Sequence, residues 1–295
     1  MKVSQYSAAD MENFGDVLYP VILKKFAENN GHQVEKVYSF LGGLSPLGAQ
    51  YETSPINDLV KNGEYVENLI IGRGDILRLD DDVVAGHYSS SFLPLQLNFA
   101  RRDYWSGPPK SQRQIFKEKN MPPFRGSFFI SCEDFTSIGR VAYFSCGAPF
   151  SFVGQPDIVR VRNALNQSSY IYVRDEISAN KIRSVHSKAI VTAAPDFLIG
   201  IRHFYDADYL RKLAKELISE VNGELGRRYL IFQGSEAIFP HLQFICNALH
   251  RFSMESGMQV LLLPLGLCHG DNKTLRHLEV ISNYKFRVVN ALTVQ

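Results

Sequence analysis

Short apolar runs alternate along this chain with amphipathic stretches of helical period, and that alternation admits few arrangements other than a parallel sheet flanked by helices. In the first half, strands are expected at Val34–Phe40, Asn68–Ile71, Arg140–Ser145, Ser169–Val173 and Ala189–Thr192, all short and rich in Val, Ile, Tyr or Phe. Helices are expected between them. Gly15–Asn29 carries apolar residues at Val17, Leu18, Val21, Ile22 and Phe26 and stops at Asn30-Gly31, and Ile177–Val185 starts behind the short polar side chain of Asp175. After Pro195-Asp196 the pattern restarts: helix Asp206–Asn222, strand Arg228–Gln233, helix Glu236–Ser256, strand Gln259–Leu265, helix Asn272–Asn283 and strand Phe286–Leu292. The expected fold class is therefore α/β, with two Rossmann-like domains over 1–196 and 197–295. The second has three strands, fewer than the roughly five or six of a typical sheet, and is expected to be incomplete.

A chain of 295 residues, 45% apolar, can bury one large core or two medium ones. Its 32 Lys and Arg against 30 Asp and Glu leave a charge of +2, which excludes a dedicated nucleic-acid or polyanion binder, so any anion must be held locally. Cys132, Cys146, Cys246 and Cys268 are far apart and show neither a CxxC pair nor zinc-ligand spacing; no metal site is expected, and buried thiols in a reducing compartment fit best. Met1–Asp10 is polar rather than basic and then apolar, so no secretory signal is read and the expected location is the cytoplasm. The run Val260–Leu267, broken by Pro264, falls well short of the roughly 20 residues that cross a bilayer, and any membrane contact is expected to be peripheral.

Five segments carry candidate chemistry. Asn13-Phe14-Gly15-Asp16 opens a helix, where Gly15 permits a tight turn and the exposed amides can hold an anionic or hydroxyl group; the competing role for Asn13 or Asp16 is helix capping. Ile70-Ile71-Gly72-Arg73-Gly74-Asp75 is a strand opening into a glycine turn of the kind that lets backbone approach a ligand at Gly72. It fails the dinucleotide fingerprint because Leu77 stands at the third glycine position. Tyr170 to Ser178 delivers Arg174 and Asp175 at the carboxyl end of a strand, Arg174 suiting a carboxylate or phosphate, or else an ion pair with Asp175 or Glu176. Ala194-Pro195-Asp196 leaves Asp196 at the same sheet edge. In Leu267-Cys268-His269-Gly270-Asp271, His269 can exchange a proton near neutral pH, while Asp271 can orient it or, as favoured, cap the next helix.

Two further features read as structural. The run Asp80-Asp81-Asp82 fits a solvated loop better than a metal site. Asn98 to Arg125 shows little periodicity and reads as a surface excursion, or as a lid presenting Trp105 to a sugar. No GxSxG elbow, P-loop or HExxH motif supports hydrolase, nucleotide-hydrolase or metalloprotease chemistry.

The order of these segments, Asn13-x-Gly15-Asp16, then Tyr172-Val173-Arg174-Asp175-Glu176-Ile177-Ser178, then Pro195-Asp196, resembles the polysaccharide pyruvyl transferase family over most of the chain. That resemblance implies a GT-B-like architecture with the active site between two α/β domains. It implies phosphoenolpyruvate as co-substrate, no separate cofactor, and a saccharide or lipid-linked oligosaccharide as acceptor, with a pyruvyl ketal of a surface or exopolysaccharide as product. Arg174 is then expected to hold the donor anion or the geometry of the cleft and His269 to donate a proton, with Asn13 and Asp16 on the acceptor side. The chain departs from the family in having Arg73 where glycine is usual and in lacking a late Arg-x-His segment; Arg276-His277 is adjacent rather than spaced. The alternatives are a GT-B-type nucleotide-sugar glycosyltransferase, and a non-catalytic, shortened family member that binds sugar or a partner enzyme.

Overall fold

The computed structural model of the protein describes residues 1–11, 13–44, 51–78, 81, 84–85, 110–122, 126–135, 137–149, 151–152, 157–186, 189–212, 215, 228–266 and 269–289. The larger of its two sheets contains β1 (Lys2–Tyr6), β2 (Gln33–Ser39), β3 (Gly43–Leu44), β4 (Glu52–Pro55), β5 (Val66–Ile71), β6 (Ile138–Cys146), β7 (Ser168–Val173) and β8 (Val191–Ala193). They lie in the order β3-β4-β2-β1-β5-β6-β7-β8. Seven run parallel, and only the two-residue β3 is antiparallel to its neighbour. The smaller sheet pairs β9 (Tyr229–Phe232), β10 (Gln259–Leu262) and β11 (Arg287–Val288) in the parallel order β11-β10-β9. The α/β expectation holds, since parallel strands need crossovers and here helices supply them.

Strand β1 is the element the sequence hides. It pairs with β2 on one side and β5 on the other, yet Ser4 and Gln5 are among its buried residues. A strand enclosed on both faces need not alternate apolar and polar side chains, so a polar decapeptide gives no strand signal.

The next element, α1 (Phe14–Asn29), begins where Asn13 accepts the Gly15 N–H on its side chain and ends where Gly31 turns with φ +72°. Further along lie α2 (Asp58–Asn62), α3 (Lys110–Asn120), α4 (Ile158–Gln167), α5 (Glu176–Val185) and α6 (Ile201–Phe204). Helix α3 corrects the reading of 98–125 as aperiodic: its Lys, Gln and Glu residues are good helix formers, and Gln114 bonds Glu118 one turn on. Trp105 lies outside the described residues, as do Asp80 and Asp82. Asp81 is not solvated; it is buried and accepts hydrogen bonds from Gly126 N, Ser127 N and Ser127 Oγ.

Around the smaller sheet, the expected helix 236–256 divides at Pro240 into a 3-10 turn, Glu236–His241, and α7 (Leu242–Ser256), because proline lacks the N–H a regular helix needs. It is followed by α8 (Asp271–Ile281).

Each sheet has its own core. Tyr6, Phe40 and Phe128 interlock in the first, with Tyr6 stacked on Phe128 at 4.8 Å, and Leu249, Val260, Leu262, Leu275 and Leu278 fill the second. A seam of rings, Phe26, Phe144, Phe197 and Phe204, ties α1 to β6 and to the 3-10 turn Phe197–Gly200. Among the described residues no helix is long and apolar enough to cross a membrane.

Gly72, expected to face a ligand, instead allows close packing beyond the end of β5. A Cβ there would stand 2.2 Å from Tyr19 Oη and 2.3 Å from the Phe144 carbonyl oxygen. Gly72→Ala is expected to destabilise the protein by about 2–3 kcal/mol, because backbone must move to admit the methyl group. A fall in the urea midpoint with an unchanged m-value would show it, and an unaltered midpoint would contradict it.

Candidate active site

The chain leaves β1 towards β2 and β4 on one side and later returns to β5 and β6 on the other, so the strand order reverses between β1 and β5. In open α/β sheets the crevice outside the carboxyl ends of the strands at that point is where ligands bind. Here it is bordered by the turn from β1 into α1, the Gly72–Asp75 turn after β5, the Gly147 turn after β6, Arg174-Asp175 after β7 and Asp196 after β8.

Six charged side chains converge on this edge. Arg174 Nη2 meets Asp75 Oδ1 at 2.6 Å, and its Nε faces Asp175 Oδ2 at 3.7 Å. Gly147 makes the first pair feasible, since a Cβ there would lie 2.5 Å from Asp75 Oδ1 and 2.8 Å from Arg174 Nε. Arg73 Nε donates to Asp196 Oδ2 at 3.4 Å, while Arg73 Nη1 stands 3.9 Å from Asp16 Oδ1. The Arg73 guanidinium lies over the start of α1, where a Cβ on Gly15 would come within 2.0 Å of Nη1.

Asp175 and Asp196 have second tasks that fix them. Asp175 caps α5 by accepting the Ser178 N–H at 2.6 Å, and although burial would raise its carboxyl, the Ser178 hydrogen bonds and Arg174 hold it below the usual value. Asp196 Oδ1 accepts the Leu198 N–H and caps the 3-10 turn. That turn is fixed in turn by Ser145, whose Oγ accepts the Phe197 N–H and whose backbone is left-handed at φ +58°.

The second sheet reaches the same place from the other side. Phe14 N donates to Leu265 O at 2.7 Å, Asn13 and Gly266 form a β-bridge, and Asn13 Nδ2 lies 3.2 Å from His269 Nε2. Because Asn13 Oδ1 already accepts the Gly15 N–H, its amide nitrogen is the atom facing the ring, so His269 Nε2 must accept and the imidazole must be neutral. Burial lowers the pKa of His269 from 6.5, opposed by the Asp271 charge.

Asp271 does not cap α8 as expected. The cap position is Gly270, whose side has no capping atom, and the fully buried Asp271 carboxylate instead accepts Gly266 N at 2.8 Å and Gln233 Nε2 at 2.9 Å through Oδ2. It fixes the turn that presents His269, helped by the bareness of Gly266, where a Cβ would meet His269 Cδ2 at 2.9 Å.

Asn13, Gly15, Asp16, Arg174, Asp175 and Asp196 thus gather at one edge, with His269 facing Asn13 and Asp271 behind it, while Gly72 is packing. Arg174 is engaged by two carboxylates, which favours its role in holding the geometry over that of holding a donor anion. Arg73, Asp75, Gln233 and Gly266 were missed. Only the Gly-Arg-Gly-Asp order hinted at the first two, a charged pair on a turn with no bulk beside it. Among the described residues no group of three or more His, Cys, Asp and Glu is placed to hold a metal ion.

Burial raises the Asp16 carboxyl from 3.8 to about 6, against the pull of Arg73. Since the folded protein then binds a proton more readily than the unfolded chain, Asp16 contributes stability at acid pH that is lost as pH rises through about 6, by about 2–3 kcal/mol. His269 acts oppositely: its lowered pKa leaves stability intact above 6.5 and erodes it as pH falls below that value. Asp16→Asn is therefore expected to stabilise the fold more at pH 7.5 than at pH 4.5, and His269→Gln to flatten the acid-side loss. Urea titrations of both variants at several pH values provide the check, and parallel stability profiles for variant and parent would refute the assignments. No protein-family model matches the chain, and no curated protein matches it significantly.

Proposed function

We propose that the chain is a polysaccharide pyruvyl transferase-like enzyme, working at a site between two α/β units in the GT-B manner, with 1–196 on the acceptor side and 197–295 on the donor side. The observation that carries this reading is the Asn13 to His269 contact, which brings a neutral imidazole from one sheet edge to the helix start that holds Asp16 on the other. A carboxyl raised to about 6 on the helix that starts behind Asn13, and an imidazole of lowered pKa in contact with Asn13, are groups suited to proton transfer near neutral pH.

Ketal formation needs just that. Two hydroxyls of the acceptor form bonds to the central carbon of phosphoenolpyruvate, and the bond from that carbon to the phosphate oxygen breaks. One hydroxyl proton ends on the methylene carbon, which becomes methyl, and the other on the departing phosphate. Asp16 takes a hydroxyl proton on the acceptor side, and His269 moves a proton on the donor side. Arg174, bound to Asp75, keeps the acceptor edge in shape.

Release of inorganic phosphate from phosphoenolpyruvate in the presence of saccharide acceptors tests the reading. Phosphate release is expected only with an acceptor, and Asp16→Asn and His269→Ala should each lower it by about 100-fold or more, the usual loss for a proton-transfer group. A thermal shift with sugar nucleotides and none with phosphoenolpyruvate would replace this reading with glycosyl transfer; no shift with either donor would leave sugar or partner binding alone.

A further inference from the structure

We propose that Arg73 and Asp16 form a clamp for two neighbouring hydroxyls of one saccharide ring, Arg73 donating to the oxygen of one and Asp16 accepting from the other. The proposal rests on the reading of the chain as a saccharide-modifying transferase, and it names the part of the acceptor that the site selects.

The two side chains are only partly used by the protein. Of the Arg73 nitrogens, Nε alone finds an acceptor within hydrogen-bond distance among the described residues, and that bond is long at 3.4 Å. Nη1 faces Asp16 Oδ1 across 3.9 Å, too far for a hydrogen bond, and no described residue donates one to the Asp16 carboxylate. Both side chains are mostly buried, with 17% and 13% of their surface exposed, so bulk water serves them poorly. The strand leading into this turn carries more unfilled capacity: the side chains of Gln5 and Ser7 are 1% exposed residues with no hydrogen-bond partner. Groups left so are costly unless something joins them.

Charge decides what that something is. On this acceptor edge Asp16, Asp75, Asp175 and Asp196 outnumber Arg73 and Arg174, so a phosphate or carboxylate set against Arg73 would meet a surplus of its own sign, whereas the donor enters from the 197–295 side. A neutral hydroxyl both donates and accepts, and two adjacent hydroxyls match a donor-only guanidinium beside an acceptor-only carboxylate. The guanidinium is oriented in advance, because Asp196 holds Nε while capping its own turn and Gly15 leaves the surface beneath it bare. A cyclic ketal closes only if both hydroxyls reach the same carbon, and a clamp on both provides that alignment.

Calorimetry and saturation-transfer NMR with methyl glycosides of glucose, galactose and mannose, without phosphoenolpyruvate, test the clamp. At least one glycoside should bind, and Arg73→Ala should weaken it by about ten-fold or more, the loss of one charge-assisted hydrogen bond. Gly15→Ala, which pushes the guanidinium aside but keeps its charge, should do the same while the circular dichroism spectrum stays unchanged, and Arg73→Lys should fall between. A glycoside lacking the hydroxyl that Arg73 serves should bind the parent and Arg73→Ala alike. Equal binding by parent, Arg73→Ala and Gly15→Ala, no saturable binding of any glycoside, or Arg73-dependent binding of inorganic phosphate instead, would each overturn the clamp. Arg73-dependent glycoside binding with no phosphate release would retain the clamp and remove the pyruvyl transfer; normal phosphate release by Arg73→Ala would do the reverse.

Discussion

The docking of the β1 to α1 turn against the turn after β10 is the constraint on which the site depends. Three contacts carry it, Phe14 N to Leu265 O, the Asn13 and Gly266 bridge, and Asn13 to His269. The first of them gives the Phe14 N–H an acceptor, which the first amides of a helix lack within the helix itself. The second sheet thus completes the helix start, and the same completion brings His269 to the acidic edge. Gln233, Asp271 and Gly266 form the stiff backing that keeps this arrangement in register.

Electrostatically the edge is held in tension rather than neutralised. Burial raises the Asp16 carboxyl to about 6 and lowers the His269 imidazole from 6.5, so in each the charged form is the one disfavoured. Their opposite dependence on pH means that neither acid nor alkali relaxes the whole site at once. A preorganised site commonly carries such local cost, compensated by packing elsewhere, here by the two buried cores.

Much of the first sheet was legible because β2 and β5 to β8 are short apolar runs, and each was found within a few residues of its true bounds. Strand β1 was not, because its buried positions include the polar Ser4 and Gln5, and α3 was not, because an exposed helix needs no apolar stripe. At the site, the positions after strand ends pointed to Asn13, Arg174, Asp175 and Asp196. Asp271 misled, since an acidic residue at a helix start usually caps, whereas this one faces back into the turn. Arg73 passed as a turn residue because its partners, Asp16 and Asp196, are distant in sequence. The 256-residue separation of Asn13 and His269 leaves no local trace at all.

Ser145 shows how a backbone torsion can be tied to the position of a charge. Its left-handed φ favours glycine, yet only a hydroxyl there can accept the Phe197 N–H. Glycine would ease the backbone and release the turn; alanine would keep the strain and still release it. Either way the first residue to shift is Asp196, which Tyr172 also steadies through the Pro195 carbonyl, and with it the orientation of Arg73. A residue with no exposed surface thus acts as a tuning peg, setting the direction of a guanidinium it never touches.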